Sequence, residues 1–357
     1  MLRAMFALLS ILPLASPAVA GADKEEPTVR GKKAPEWLEI LQKDPKAERR
    51  QAAVIALGIL GPKLPGVVLG LSDALKDSDS AVRRTTAQTL GQLGAEGRRA
   101  VDPLAETVKT DKSEAVRQAA ATALGRLGAT AKGAVPELSQ ALEDSHSGTR
   151  AAAAEALGRI GPDAVAALPN LVRLLKDSER LARAQAAFAL GRFGLEAAPA
   201  VPALATVVLN DSQVEIRRLA AEALGQIGPE ASGAAAESLG QALQKDTQAE
   251  VRRAAALALG KIGTEAKSAL PALLGALKDG DKFVRALALH TVAALAEESP
   301  LVVPAMATCL ADEVAEVRLA AVDELGRLGP LAKPALAALR GVQKNDGRSI
   351  IRDAAAD

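Results

Sequence analysis

The chain has 357 residues and nearly balanced charge, 44 Lys and Arg against 43 Asp and Glu, which excludes the bulk basic surface that nucleic acid requires. Apolar residues make up 49% and are mostly Ala, Leu and Val, while Tyr is absent and there are only four Phe and one Trp. Small and aliphatic side chains must fill the interior, a composition of close-packed helices rather than of a sheet sandwich. With two His and one Cys, a His/Cys metal cluster is excluded as well.

Residues 1–20, MLRAMFALLSILPLASPAVA, carry one cation at Arg3, an apolar run from Ala4 to Leu14, a break at Pro13 and a small-residue exit at Ala18-Val19-Ala20. This pattern predicts a secretory signal peptide cleaved before Gly21, and hence a periplasmic or extracellular protein. The apolar run is too short for a spanning helix, so no stable membrane insertion is expected after cleavage. Losing Arg3 leaves 43 charges of each sign. Residues 21–34, rich in Lys, Glu, Gly and Pro, are expected to be a flexible lead-in. Cys309 has no internal disulfide partner; it occupies the position of Ala141 and Ala276 in other repeats and reads as a buried small hydrophobe.

From residue 35 to 357 the chain repeats. Asp44, Asp77, Asp111, Asp144, Asp177, Asp211, Asp246, Asp279, Asp312 and Asp346 lie 33 to 35 residues apart. Six residues after each stands an Arg: Arg50, Arg83, Arg117, Arg150, Arg183, Arg217, Arg252, Arg285, Arg318 and Arg352. Eight residues later comes a Gly in most repeats, within phrases such as Leu124-Gly125-Arg126-Leu127-Gly128. The second Gly ends a helix, and Gly61, Gly161, Gly228 and Gly329 are each followed by Pro.

Each period therefore predicts two helices. The second, between the Arg and the Gly, is as uniformly small as Ala151-Ala-Ala-Ala-Glu155-Ala-Leu157 and must pack closely on its neighbours. The first ends near the Asp and carries a Pro eight residues before it at Pro103, Pro136, Pro169, Pro271 and Pro304, and nine before it at Pro202. Such a Pro belongs in a first turn or at a kink, with Leu138, Leu142, Leu171, Leu175, Leu273 and Leu277 forming the apolar stripe beyond it. Asp79, Ser113 and Asp281 are predicted N-caps of second helices.

The spaced Pro, Asp and Arg and the Leu-Gly-x-[Leu/Ile/Phe]-Gly phrase resemble the HEAT repeat family, in the variety found in phycobilisome lyase subunits. The resemblance implies an all-α, right-handed α-solenoid of about ten helix pairs, nine repeats and a truncated tenth. It also implies an Asp/Arg ladder between neighbours: Asp77, Arg83, Asp111, Arg117, Asp144, Arg150, Asp177, Arg183, Asp211, Arg217, Asp246, Arg252, Asp279, Arg285, Asp312 and Arg318. A planar guanidinium forked between carboxylates in a partly buried turn suits that ladder. Departures from the pattern are Glu237 in place of Pro in the seventh repeat and Ala293 and Ala296 in place of both glycines of the eighth. The tenth repeat runs out at Asp357, before its second helix can form, and reads as a C-terminal cap.

No P-loop, dinucleotide fingerprint, nucleophile elbow or zincin motif occurs. The enzymatic branches of the resemblance, a bilin lyase or a deoxyhypusine-hydroxylase-like oxidoreductase, are disfavoured by the leader and by the lack of His-Glu metal pairs. No catalytic residue, metal or cofactor is assigned. Asp77/Asp79 and Asp279/Asp281 lack the rest of a calcium loop and read as caps.

The informative surface is the exposed side of the second helix, at one, five and nine residues after the ladder Arg. The five-residue column varies from Ile55 through Phe188 to His290, whereas the nine-residue column is mostly basic, with Arg126, Arg159, Arg192, Lys261 and Arg327. Cations in a last helical turn complement the macrodipole, and Glu155 to Arg159 and Asp323 to Arg327 are ordinary i, i+4 pairs. The functional alternative is a binding face of Arg126, Arg159, Phe188, Arg192, Lys261 and His290 that holds an acidic or extended partner segment. The expected role is a non-catalytic scaffold for a protein partner, with a polysaccharide as the second choice.

Overall fold

The computed structural model describes residues 26–64, 66–295 and 300–356. The predicted signal peptide, the start of the lead-in and Ala296 lie outside the described residues. Residues 29–32 close a tight turn, and the Trp37 indole N–H donates to the Val29 carbonyl at 3.1 Å, so the later part of the lead-in is tied to the first helix.

Among the described residues there are twenty α-helices and no strand. First helices are α1 (Ala34–Lys43), α3 (Val67–Ala74), α5 (Val101–Thr110), α7 (Val135–Ala141), α9 (Leu168–Leu174), α11 (Val201–Asn210), α13 (Ala234–Lys245), α15 (Leu270–Ala276), α17 (Val302–Thr308) and α19 (Leu336–Asn345). Second helices are α2 (Ala47–Leu60), α4 (Ser80–Gln92), α6 (Glu114–Leu127), α8 (Ser147–Ile160), α10 (Arg180–Arg192), α12 (Val214–Ile227), α14 (Ala249–Ile262), α16 (Lys282–Leu295), α18 (Ala315–Leu328) and α20 (Ser349–Ala354). The pairs stack in series as expected of a solenoid. A six-residue second helix does form in the tenth pair, where the sequence reading expected none; it buries Ile351.

Each boundary follows from its residues. Gly128, Gly161, Gly228 and Gly329 end second helices with φ between 52° and 83°, a region that strongly favours glycine. A turn of 3-10 helix follows, as at Gly128–Ala134, and the first helix of the next pair starts after it. Pro136, Pro169, Pro202 and Pro271 fall in the first turn of α7, α9, α11 and α15, where no intrahelical N–H is required. In the seventh repeat, which lacks the Pro, Gly233 at φ 70° opens α13 instead. Leu138, Leu171 and Leu273 behind the prolines are fully buried, and Cys309 is buried as expected, its thiol pushed above its ordinary range chiefly by that burial.

The two rows of helices pack differently. Every consecutive pair of second helices packs extensively, whereas among first helices only α1–α3, α5–α7, α11–α13 and α13–α15 do. The glycine column explains the tight row: a Cβ added to Gly91, Gly125, Gly158, Gly191 or Gly225 would lie 2.7 to 3.0 Å from the Cα of an Ala on the next second helix. Glycine on alanine lets backbones meet, so the second helices form the short, inner side of the curve. The column changes at the end, where Ala293 replaces Gly in α16 and the Cβ position of Gly326 meets nothing.

The ladder runs along the edge where first helices end. Nine Arg side chains each reach the Asp of the next repeat, from Arg50–Asp77 to Arg318–Asp346, with Nε to Oδ2 distances of 2.6 or 2.7 Å. The guanidinium is forked onto one carboxylate rather than between two. Its remaining nitrogen donates to the backbone carbonyl of its own repeat's Asp, as Arg117 does to Asp111 at 3.0 Å. Each carboxylate also accepts the backbone N–H two residues on, as Asp144 does from His146 at 2.8 Å. Ser113 stands at the N-cap position of α6 without capping it, its hydroxyl accepting no helix N–H, while its own backbone N–H donates to Asp111 at 2.8 Å. Asp79 caps α4 through Ala81 and Val82, and Asp281 caps α16 through Phe283 and Val284.

Burial alone would raise the Asp144 carboxyl, but the Arg117 bond, the His146 N–H and nearby positive charge hold it below the usual range. Asp77, Asp111, Asp246 and Asp279 follow the same balance; for Asp177 the Arg150 bond is the leading cause.

Candidate binding face

Helical spacing puts positions one, five and nine after the ladder Arg on one stripe of each second helix, and the inner row aligns those stripes side by side. Every member of the nine-residue column, from Ile59 and Gln92 through Arg126, Arg159, Arg192, Gln226 and Lys261 to Arg327, is exposed. In the five-residue column Ile55, Gln88, Leu257, His290 and Asp323 are exposed, while Thr122, Glu155, Phe188 and Glu222 are half-buried. The one-residue column departs from expectation. Ala151 and Ala184 are buried, because a methyl group does not rise above the helix surface.

Those two alanines shape the face. Neighbouring helices carry Arg84, Gln118, Arg218 and Arg253 at the same position, so α8 and α10 present only a methyl group there, and Ala184 lies at the bottom of a depression. It is a notch of about 580 Å³ floored by Ala184 and Phe188, walled by Glu155 and Arg159 on α8 and by Ile216 and Leu219 on α12. Leu181, 55% exposed, stands at its mouth. The Phe188 ring lies over Gly158, where an added Cβ would come within 2.9 Å of it. An apolar floor with charged walls is a usual form of anchor site.

The predicted cations divide into two groups. Arg159 is bound to Glu155 at 2.6 Å, as the i, i+4 reading expects. Arg327 does not pair with Asp323; it lies 3.4 Å from Glu324, which faces the α16–α18 junction and also contacts His290 Nδ1 at 2.9 Å. Arg126, Arg192 and Lys261 make no ion pair among the described residues. The structure thus joins Arg159 and Phe188 in one notch and places Arg126, Arg192 and Lys261 along the same rim. His290, three repeats beyond Phe188, belongs to a separate contact with Glu324.

Two features escaped sequence reasoning. Arg253 forms a second rung beside the ladder: it is forked onto Asp281, with Nε to Oδ1 at 2.8 Å, and its guanidinium lies 4.6 Å from the centre of the Phe283 ring. That rung holds the Asp281 carboxyl at about 2, with the Arg253 bond as the main cause. On the outer side, α3 and α5 do not pack closely and leave a groove of about 840 Å³. Leu69, 68% exposed, stands there in place of the usual Pro. The missing Pro was the readable signal for the groove, and Ala184 after Arg183, where Gln118 and Arg218 stand on α6 and α12, was the signal for the notch.

Paired helices in series with an open inner face define an α-solenoid. HEAT repeats are matched across residues 34–125, 101–191, 168–239, 201–296, 236–313 and 270–357, and the chain belongs to the HEAT repeat family. No curated protein matches the chain in sequence. An engineered protein of solved structure is similar at TM-score 0.59 and 20% identity, covering 90% of this chain and 97% of that one. Importin beta is similar at TM-score 0.62 and 14% identity over 90% of this chain and 50% of its own. The karyopherin Kap121p, solved bound to the extreme C-terminus of the protein phosphatase Cdc14p, is similar at TM-score 0.55 and 15% identity over 90% of this chain and 40% of its own. The chain thus spans half or less of importin beta and of Kap121p, and the likeness is one of fold.

Proposed function

We propose that this protein is an exported, non-catalytic scaffold that binds a protein partner along its inner face, centred on the Phe188 notch. The observation that carries the reading is the notch itself, where an apolar floor of Ala184 and Phe188 opens on the inner stripe beside the unpaired cations of the same rim. A half-buried aromatic in a pocket with charged walls is the usual make-up of an energetic centre at a protein interface. Kap121p, similar in fold, is a solenoid solved with a protein segment bound. Export rests on the Met1–Ala20 pattern, and intact mass of protein recovered from the cell envelope should begin at Gly21.

The binding reading is tested by crosslinking and affinity capture from the native envelope, comparing wild type with the Arg159→Glu, Arg192→Glu double variant. A protein recovered with wild type and lost from a folded double variant supports the reading. Equal recovery with both overturns the placement on this face.

A further inference from the structure

The inner rim repeats a cation once per helix on three consecutive second helices, Arg126, Arg159 and Arg192, and resumes at Lys261 after Gln226. Packed neighbouring helices lie about 8 to 10 Å apart, so equivalent residues recur at about that interval. Few chain conformations present one charge per such interval on a single side. A β-strand alternates faces, so its same-side residues fall at about 6.6 or 13 Å. An α-helix needs about seven residues to cover the distance, and its backbone is already hydrogen-bonded to itself. A polyproline II segment has three residues per turn and rises about 3.1 Å per residue, so every third residue returns to the same side after about 9.3 Å.

That conformation also leaves its backbone N–H and C=O groups unpaired, and the inner face supplies side-chain amides to meet them. Gln88, Gln92 and Gln226 are exposed, and Gln185 lines the notch beside Phe188. From charge complementarity and this spacing we infer, resting on the binding reading above, that the partner presents an acidic polyproline II segment. Its carboxylates fall at every third position over Arg126, Arg159 and Arg192, and an apolar residue enters the Phe188 notch. Arg126 and Arg192 are unpaired, and Arg159 exchanges Glu155 for the incoming carboxylate.

The test uses fluorescein-labelled synthetic peptides of about fifteen residues, built on a proline-rich background that favours this conformation. One carries Glu at every third position around a central Leu, a second the same composition with Glu at every fourth, and a third has Gln for Glu; binding to the full chain is read by fluorescence anisotropy. The step-of-three peptide is expected to bind about tenfold tighter than the step-of-four peptide, and to lose about tenfold on the Arg126→Glu, Arg192→Glu variant, the loss of two exposed ion pairs. Circular dichroism verifies that the variant is folded. Equal binding of the two spacings overturns the inference. So does binding of an acidic polysaccharide such as alginate to the same rim with no binding of any peptide. Failure of all peptides, with partner capture still dependent on Arg159 and Arg192, overturns the segment's conformation and leaves the binding face standing.

Discussion

Arg117 and Asp144, 27 residues apart, join two repeats through a forked pair: Arg117 Nε and a terminal nitrogen meet the carboxylate at 2.7 and 2.8 Å, while its other nitrogen holds the Asp111 carbonyl of its own repeat at 3.0 Å. Only 15% and 10% of the two side chains is exposed. The rung is therefore partly desolvated, and each group depends on the other for its hydrogen bonds.

Removing one partner should cost more than a surface ion pair. Asp144→Ala strands the Arg117 guanidinium and frees the His146 N–H, and is expected to destabilise by about 2 to 4 kcal/mol. Urea unfolding followed by circular dichroism reads this. The same change at Asp346, on the last rung, should cost less because only the short α20 depends on it.

Acid should loosen the solenoid. Asp77, Asp111, Asp144, Asp177, Asp246 and Asp279 are held below their ordinary values when folded. Such groups contribute stability above the unfolded-state value, about pH 4, and lose it as pH falls through the folded one. The urea midpoint is expected to be flat from about pH 7 to 5 and to fall below about pH 4. An unchanged midpoint at acid pH would show that the ladder contributes nothing net.

Two glycine-to-alanine changes should have opposite signs. At Gly91 the new Cβ would meet Ala123 Cα at 2.7 Å, forcing two backbones apart at a cost of about 1 to 3 kcal/mol. At Gly326, also within a helix, the space is open, and alanine should stabilise by about 0.5 to 1 kcal/mol. Thermal unfolding of both variants beside wild type checks the pair.

The caps give a third contrast. Asp79→Ala removes the acceptor for two backbone N–H groups and should cost about 1 kcal/mol. Ser113→Ala removes a hydroxyl that caps nothing and should stay within about 0.5 kcal/mol, as measured by urea unfolding.

Helix pairing was legible because its determinants are local: a glycine that needs positive φ, a proline in a first turn, and a fixed Asp-to-Arg interval. The form of the rung was only half legible. The resemblance to HEAT repeats implied that Asp and Arg meet, but the division of one guanidinium between a neighbour's carboxylate and its own repeat's carbonyl needs three-dimensional register. The basic rim could be read, since period 3.6 assigns Arg126, Arg159 and Arg192 to one stripe. The notch could not be read from any single repeat, because its lining is drawn from three second helices, α8, α10 and α12. Arg327 shows the same limit: helical spacing allows it either Asp323 or Glu324, and the i, i+3 partner Glu324, which also holds His290 across the α16–α18 junction, is the one it meets.

Because each rung uses only an Asp turn from one repeat and an Arg from the one before, periods that keep the facing glycine and alanine can accept one another as neighbours. Excising residues 144–176 would bring Asp177 into the place of Asp144 beneath Arg117, with the glycine of α6 facing the alanine of α10. Genes encoding such a chain can therefore lengthen or shorten by unequal recombination without passing through a misfolded ancestor, while the side chains of the inner rim remain free to diverge.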